Sequence, residues 1–125
     1  MQKIRIFVVG NSLVDIDSLP LRILPELRKK MPSVDFVEFD PTEEFPVKDP
    51  IILDTVINAE TVSIFTDINK IELQSICSLH DFDLGYNLKL LKKLGQIKSV
   101  KIIGVPPNIE EAVAVEEICK ILLRN

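Results

Sequence analysis

Acidic side chains that follow predicted strand ends are the residues of this sequence best suited to chemistry. Residues 7–17, FVVGNSLVDID, form an apolar run that stops at glycine and asparagine and continues to Asp15 and Asp17. A second short apolar run, residues 51–54, ends at Asp54. Open α/β sheets bind ligands beyond the carboxyl ends of their strands, where the strand order reverses. With a sheet order that begins 2-1-3, Asp17 and Asp54 would flank that point.

A histidine can join these carboxylates. Two carboxylates that face one crevice repel each other unless a cation lies between them or one of them takes a proton. His80, the only histidine, lies in the segment SLHDFD directly before a predicted helix, and as a neutral imidazole it can reach the same crevice. Two aspartates and one histidine suit a borderline divalent metal such as zinc or nickel. Asp17, Asp54 and His80 are therefore the candidate metal ligands.

The same residues have simpler alternative roles. Asp17 could cap the helix that follows it, and Asp54 could accept hydrogen bonds from loop amides. His80 could be a solvated loop residue. Cys77 precedes His80 by three residues, a spacing that permits chelation, although a lone cysteine is more simply a small buried hydrophobe.

Alternating strand and helix signals predict the elements that position these residues. Continuous or alternating apolar runs predict five strands, at residues 4–9, 34–39, 51–54, 61–66 and 100–104. Apolar residues at helical spacing predict three helices, at residues 19–30, at residues 84–94 and after Asn108. The pattern is typical of a three-layer α/β/α domain, here a single domain over residues 1–125, with a mostly parallel five-stranded sheet. We expect the strand order 2-1-3-5-4.

Several single residues predict where the helices begin, bend and end. Pro25 should kink the first helix or delay its regular start, because proline lacks the backbone N–H that a helix interior requires. Asp83 and Asn108 are the expected N-caps of the second and third helices. Gly95 lies just past the second helix and should end it.

Composition limits the classes of function. The net charge of −4 argues against a general nucleic-acid binder or a protein of anionic membrane surfaces, which need a basic face. The first apolar run is too short to span a membrane. The two cysteines lie far apart and form no CxxC motif, which indicates a reduced chain. We therefore expect a cytoplasmic monomer.

Four segments, taken in order, resemble the hydrogenase maturation proteases. These endopeptidases trim the C-terminus of the large subunit of nickel–iron hydrogenases. The segments VVGNSLVDIDSLPLRIL, IILDTV, SLHDFDLGYNLKLLKKLG and VKIIGVPP span nearly the whole chain. The resemblance implies the phosphorylase/hydrolase-like form of the α/β/α fold.

The resemblance can be followed residue by residue. Asp17 falls on a metal-ligating acid of the family, Asp54 on its strand-end aspartate and His80 on its histidine ligand. The family's G-N-x-L and G-[IV]-x-P motifs are matched by Gly10, Asn11, Leu13, Gly104, Val105 and Pro107. The sequence departs from the family at Ile16, where an acid is usual and Asp15 is shifted by one place, and at Pro20, where the family has a glycine at the start of its helix.

The resemblance implies a function. The protein would remove the C-terminal extension of a hydrogenase large-subunit precursor, its partner, after nickel insertion. Nickel carried by the substrate would be bound by Asp17, Asp54 and His80, and another divalent metal could bind the free protein. Asp17 and Asp15 are the catalytic candidates. Asp15 could activate water or serve as a cap, or the metal could polarise the scissile carbonyl.

Three other functions remain as alternatives. A catalytically silent module on the same fold could bind the metal or the precursor. A receiver-like signalling domain would be phosphorylated at Asp54, but receivers place an acidic pair directly at the first strand end and a lysine at the last. This chain has Gly10 and Gly104 at those two positions. Dinucleotide binding would need glycine companions that Gly10 lacks.

Overall fold

The structure, a computed structural model, describes residues 4–10, 18–40, 43–56, 59–67 and 84–124. Its strands are β1 (Ile4–Val8), β2 (Val34–Glu38), β3 (Ile51–Thr55), β4 (Ser63–Phe65) and β5 (Lys101–Val105). Its helices are α1 (Leu19–Arg22), α2 (Leu24–Lys30), α3 (Leu84–Lys93) and α4 (Glu111–Arg124). Among these residues, no helix combines the length and the apolar composition needed to cross a membrane.

The strands form one sheet in the order β2-β1-β3-β5-β4, which confirms the predicted order. All neighbouring pairs are parallel except β4 and β5, which are antiparallel. The chain moves from β1 to β2 on one side of β1, and β3 lies on the other side. The strand order therefore reverses between β1 and β3, where α/β sheets commonly bind ligands.

Two hydrophobic clusters cover the two faces of the sheet and confirm the three layers. On one face, which we call the α4 face, Leu53 and Ile103 pack with buried residues of α1, α2 and α4. On the other, the α3 face, Ile52 and Ile102 pack with Leu88 of α3. Successive residues of β3 and β5 alternate between the two clusters, as a strand buried on both faces requires.

The first predicted helix is divided at Ile23, as Pro25 led us to expect. Helix α1 ends at Arg22 and α2 begins at Leu24, so Pro25 lies in the first turn of α2. A proline is tolerated there, because the first backbone N–H groups of a helix have no partner within it. Leu27 N–H still donates to the carbonyl of Ile23, the residue between the two helices, at 3.0 Å. This bond links α2 to the end of α1.

Gly95 ends α3, as predicted. Its φ of 77° lies in the left-handed region, and its N–H donates to the Lys92 carbonyl at 3.1 Å. Gln96 N–H donates to the Leu91 carbonyl at 2.9 Å, which completes a Schellman motif. The Gly95 carbonyl also accepts a hydrogen bond from Lys48 Nζ at 2.9 Å.

This last bond sets the direction of α3. Lys48 lies just before β3, so the C-terminus of α3 is fixed at the amino end of the strands. Ten helical residues rise about 15 Å, close to the length of a five-residue strand. Because Leu88 packs on Ile52 in the α3 face, the helix runs back along the sheet and its N-terminus lies toward the carboxyl ends.

Two predicted boundaries change by more than one residue. The fourth strand is shorter than residues 61–66, because only Ser63–Phe65 pair with β5. The prediction that Asn108 caps the last helix is wrong. Helix α4 begins at Glu111, and Ala114 N–H bonds the Glu110 carbonyl at 2.9 Å. Two preceding prolines hold the chain in a turn at Asn108 and delay the helix. Asp83, the other predicted cap, lies outside the described residues.

Candidate active site

Asp54 is a buried acid at the carboxyl end of the central strand. It is the second-last residue of β3 and only 1% exposed. Its Oδ1 accepts a hydrogen bond from the Thr55 N–H at 2.7 Å, so one carboxylate oxygen is oriented by the backbone. Ile52, two residues earlier, packs in the α3 face, so the Asp54 side chain lies on that face too.

The end of β1 lies directly beside Asp54. Val8 pairs with Leu53, and Val9 N–H bonds the Leu53 carbonyl at 2.9 Å, so Val9 lies level with Asp54 and Gly10 follows it directly. The predicted ligand Asp17 and its neighbour Asp15 follow Gly10 in sequence. Both lie outside the described residues.

Helix α1 begins close to the same strand. Ser18, only 5% exposed, occupies its N-cap position, and α1 packs against β3. The Ser18 hydroxyl accepts a hydrogen bond from Arg22 Nε at 3.0 Å, and Arg22 also pairs with Glu111 of α4 at 3.0 Å. Ser18 makes no side-chain capping hydrogen bond to this helix, and Asp17, the predicted alternative cap, lies outside the described residues.

Helix α3 begins toward the carboxyl edge of the sheet that carries Asp54. Its first residue, Leu84, comes four residues after His80 in sequence. His80 and Cys77 lie outside the described residues. Within the described part of the chain, no group of three histidine, cysteine or acidic residues is arranged to hold a metal ion. A three-ligand site would therefore need residues beyond that part as well as Asp54.

Gly104, on β5, is the other neighbour of Asp54 in the sheet. A Cβ atom at this position would lie 2.5 Å from Val56 Cγ2 and 2.8 Å from Phe65 Cε2. Both distances are shorter than real carbon–carbon contacts allow. The glycine of the G-[IV]-x-P motif is thus required here because Val56 and Phe65 fill the space beside Asp54.

An acidic cavity beside β1 was missed by the sequence analysis. Its volume is about 470 Å³, and its lining comprises Val8, Gly10, Leu21, Glu38, Phe39, Asp40 and Glu43. Glu38 ends β2 and Asp40 lies two residues after it. Their position at a second strand end next to β1 was the signal that could have identified them. Gly10 lines the cavity, and Asp17 follows it by seven residues in sequence.

The sheet order argues against the receiver-like alternative. Receiver-type doubly wound sheets have the order 2-1-3-4-5. Here β5 lies between β3 and β4, and β4 is antiparallel to it. Asp54 also lies almost entirely out of solvent, with Oδ1 bonded to the backbone.

No protein-family model matches this sequence, and no curated protein matches it. Solved structures are similar over most of their length. The hydrogenase maturating endopeptidase HybD from E. coli has a TM-score of 0.62 and 21% identity, covering 98% of this chain and 88% of HybD. The endopeptidase HycI from Escherichia coli has a TM-score of 0.63 and 19% identity, covering 94% of this chain and 87% of HycI.

An archaeal structure gives the same result. The NiFe hydrogenase maturation protease HycI from Thermococcus kodakarensis KOD1 has a TM-score of 0.58 and 18% identity, covering 99% of this chain and 94% of that protein. These similarities confirm the predicted resemblance at the level of the fold. The chain has the fold of the hydrogenase maturation endopeptidases over nearly its whole length.

Proposed function

We propose that this protein is an endopeptidase that removes the C-terminal extension of a nickel–iron hydrogenase large-subunit precursor after nickel insertion. The observation that carries the proposal is the buried Asp54 carboxylate at the carboxyl end of β3. It lies where the family's sequence pattern has a metal-contacting aspartate, in a sheet of the fold shared with solved hydrogenase maturation endopeptidases.

Nickel is a part of the substrate in this proposal. Asp17, Asp54 and His80 bind the ion that the precursor already holds, so its presence reports that insertion is complete. Two features support this ligand set: the chain leaves β1 beside Asp54, and α3 begins toward the same edge. Three side-chain ligands form an incomplete shell, which leaves positions for groups of the precursor.

The remaining acids would act on water. Asp15 or Asp17 serves as a general base if it is not coordinated, and a bound metal ion can polarise the scissile carbonyl. Asp54 is suited to a fixed ligand rather than a base, because it is buried and Thr55 N–H orients its Oδ1. We place the reaction in the cytoplasm.

The free protein should bind divalent metals weakly. We expect calorimetry to detect nickel, zinc or cadmium binding that is lost in His80→Ala. The site has only three side-chain ligands, and loss of the imidazole would leave two. Binding should weaken below about pH 6, since ligation requires a neutral imidazole. Equal affinity in the wild type and in His80→Ala would refute the ligand set.

Cleavage should depend on nickel in the precursor. We expect the wild type to shorten nickel-loaded precursor and to leave nickel-free precursor intact, as followed by electrophoresis and mass spectrometry. Asp17→Asn should lower kcat/KM at least tenfold, about 1.4 kcal/mol, by removing a charged ligand. Asp15→Asn should lower kcat/KM by a similar factor if Asp15 activates water. The decrease should be smaller if Asp15 only caps a helix.

One outcome would favour the silent binding module instead. The wild type would then bind the nickel-loaded precursor without ever shortening it. The departures at Ile16 and Pro20 motivate this second candidate. Pro20 is buried in the first turn of α1, so replacing it would disturb the fold. Ile16→Glu is therefore the substitution with which to test whether cleavage can be restored.

A further inference from the structure

Arg22 connects the start of α1 to the start of α4. Its Nε donates to the Ser18 hydroxyl at 3.0 Å, and its Nη1 donates to Glu111 Oε2 at 3.0 Å. Ser18 directly precedes α1, and Glu111 is the first residue of α4. Because the donors of a guanidinium form a rigid planar fork, two such contacts fix the whole side chain. Arg22 is therefore a bridge between Ser18 and α4.

The stability of the whole domain does not account for this bridge. The side chains of Arg22 and Glu111 are 47% and 54% exposed, and exposed ion pairs contribute little to the free energy of folding. Ser18 is buried, and buried polar groups are normally hydrogen-bonded. The bridge thus acts mainly on the local position of Ser18.

The proline that follows Ser18 explains why its hydroxyl bonds Arg22 instead of capping α1. A serine at an N-cap usually accepts a hydrogen bond from the N–H of the second or third helical residue. The second residue of α1 is Pro20, which has no N–H, and the Ser18 side chain makes no capping bond. The departure from the family pattern at Pro20 therefore accompanies the Arg22–Ser18 bond.

The two ends of the bridge differ in how firmly they are held. Helix α1 has only four residues, too few to be stable without tertiary contacts. Helix α4 has 14 residues, and its buried side chains pack in the α4 face. Glu111 is thus the anchored end, and Ser18 is the end that Arg22 fixes. Consecutive Cα atoms are about 3.8 Å apart, so fixing Ser18 also restricts the residue before it, Asp17.

We propose that Arg22 is a positioning residue of the candidate active site. Held by Glu111, it fixes Ser18 and so directs the preceding residue, Asp17, toward the carboxyl edge of the sheet. This inference rests on the proposed function, in which Asp17 binds the nickel of the precursor. A carboxylate oxygen must approach the metal to about 2 Å, so a displaced Asp17 loses the bond.

The sign of the effect separates positioning from simple electrostatics. The Arg22 guanidinium is a cation, and a nearby cation repels a metal ion. Charge alone therefore predicts that removing Arg22 would tighten nickel binding. Positioning predicts weaker binding. It also predicts that Ser18→Ala, which leaves every charge in place, weakens binding in the same way.

The first test measures nickel binding to the free protein by calorimetry. Arg22→Gln and Ser18→Ala should each raise Kd at least about fivefold, since a metal bond needs close ligand geometry. Both substitutions remove the same hydrogen bond, so the double variant should lie within about twofold of the weaker single variant. Tighter binding in Arg22→Gln, or multiplied effects in the double variant, would overturn the inference.

Arg5→Gln is the matched control. Arg5 of β1 pairs with Asp35 of β2 at 3.4 Å, and the two side chains are 49% and 44% exposed, close to the values for Arg22 and Glu111. Losing this pair should change the nickel Kd by less than about twofold. Arg5→Gln and Arg22→Gln should both unfold within about 4 °C of the wild-type Tm.

Hydrogen exchange gives a second readout that needs neither metal nor precursor. Mass spectrometry of peptides that cover residues 11–18 should show exchange at least about threefold faster in Arg22→Gln, because a segment with fewer restraints opens more often. Exchange there should be unchanged in Arg5→Gln. Equal rates in the wild type and in Arg22→Gln would mean that Arg22 does not restrain Asp17, and the inference would be wrong.

Failure of this inference can be told from failure of the proposed function. If the wild type, Arg22→Gln and Ser18→Ala cleave nickel-loaded precursor at the same rate, the protease proposal survives and the positioning role is overturned. If the wild type neither binds nickel nor cleaves precursor, the proposed function fails. Faster exchange of residues 11–18 in Arg22→Gln would then still support the restraint on Asp17, and unchanged exchange would overturn it.

Discussion

Asp54→Asn should abolish cleavage of the nickel-loaded precursor while the domain stays folded. Asparagine keeps the shape and the Oδ1 that accepts the Thr55 N–H, but it removes the negative charge from the proposed nickel ligand. We expect kcat/KM to fall at least about a hundredfold, equivalent to about 2.7 kcal/mol. Single-turnover cleavage gives the rate, and thermal unfolding monitors the fold.

Asp49→Asn is the control for this substitution. Asp49 is exposed and precedes β3 at the end of the strand opposite to Asp54. The same chemical change there should leave the rate within twofold of the wild type. Full activity in Asp54→Asn would remove the residue on which the proposed site is built.

Gly104→Ala should destabilise the domain by about 2 kcal/mol, within the range for overpacked cores. The added Cβ would meet Val56 Cγ2 at 2.5 Å and Phe65 Cε2 at 2.8 Å, so the side chains beside Asp54 must move. Urea denaturation measures the loss, as a lower midpoint at an unchanged slope. Because Phe65 belongs to β4, the displacement should also disturb the sheet edge.

A double-mutant cycle separates this contact from a general cost of adding a methyl group. Val56→Ala should recover part of the loss caused by Gly104→Ala, because the two positions touch. Gly95→Ala is the comparison: no atom lies within 4 Å of its Cβ position, and its cost comes from the φ of 77°. Val56→Ala should not change that cost. Additive effects at Gly104 and Val56 would contradict the packing explanation.

Local patterns predicted most of the sheet. Continuous apolar runs located β1 and β3, and an acid that ends such a run is expected near the carboxyl end of its strand, as Asp54 is. Pro25 and Gly95 act on their own backbone, so their effects could be predicted from the residues alone. For Asn108, a local cap preference was overridden by the two prolines before it.

Non-local features could not be predicted in this way. The need for glycine at position 104 comes from side chains of two other segments, Val56 and Phe65. The cavity beside β1 depends on the convergence of β1, α1 and the end of β2. Asp15, Asp17 and His80 lie outside the described residues, so their part in the candidate site stays a prediction.

The position of β3 between β1 and β5 determines when its acid is buried during synthesis. Both neighbours pair with β3 across long stretches of chain: Val8 with Leu53 on one side, and Asp54 with Gly104 on the other. Contacts between residues so far apart in sequence form slowly, because loop closure precedes them. We therefore expect the Asp54 carboxylate to stay hydrated on the ribosome until residues 101–105 have emerged, and a nascent chain that stops at α3 to lack a completed site.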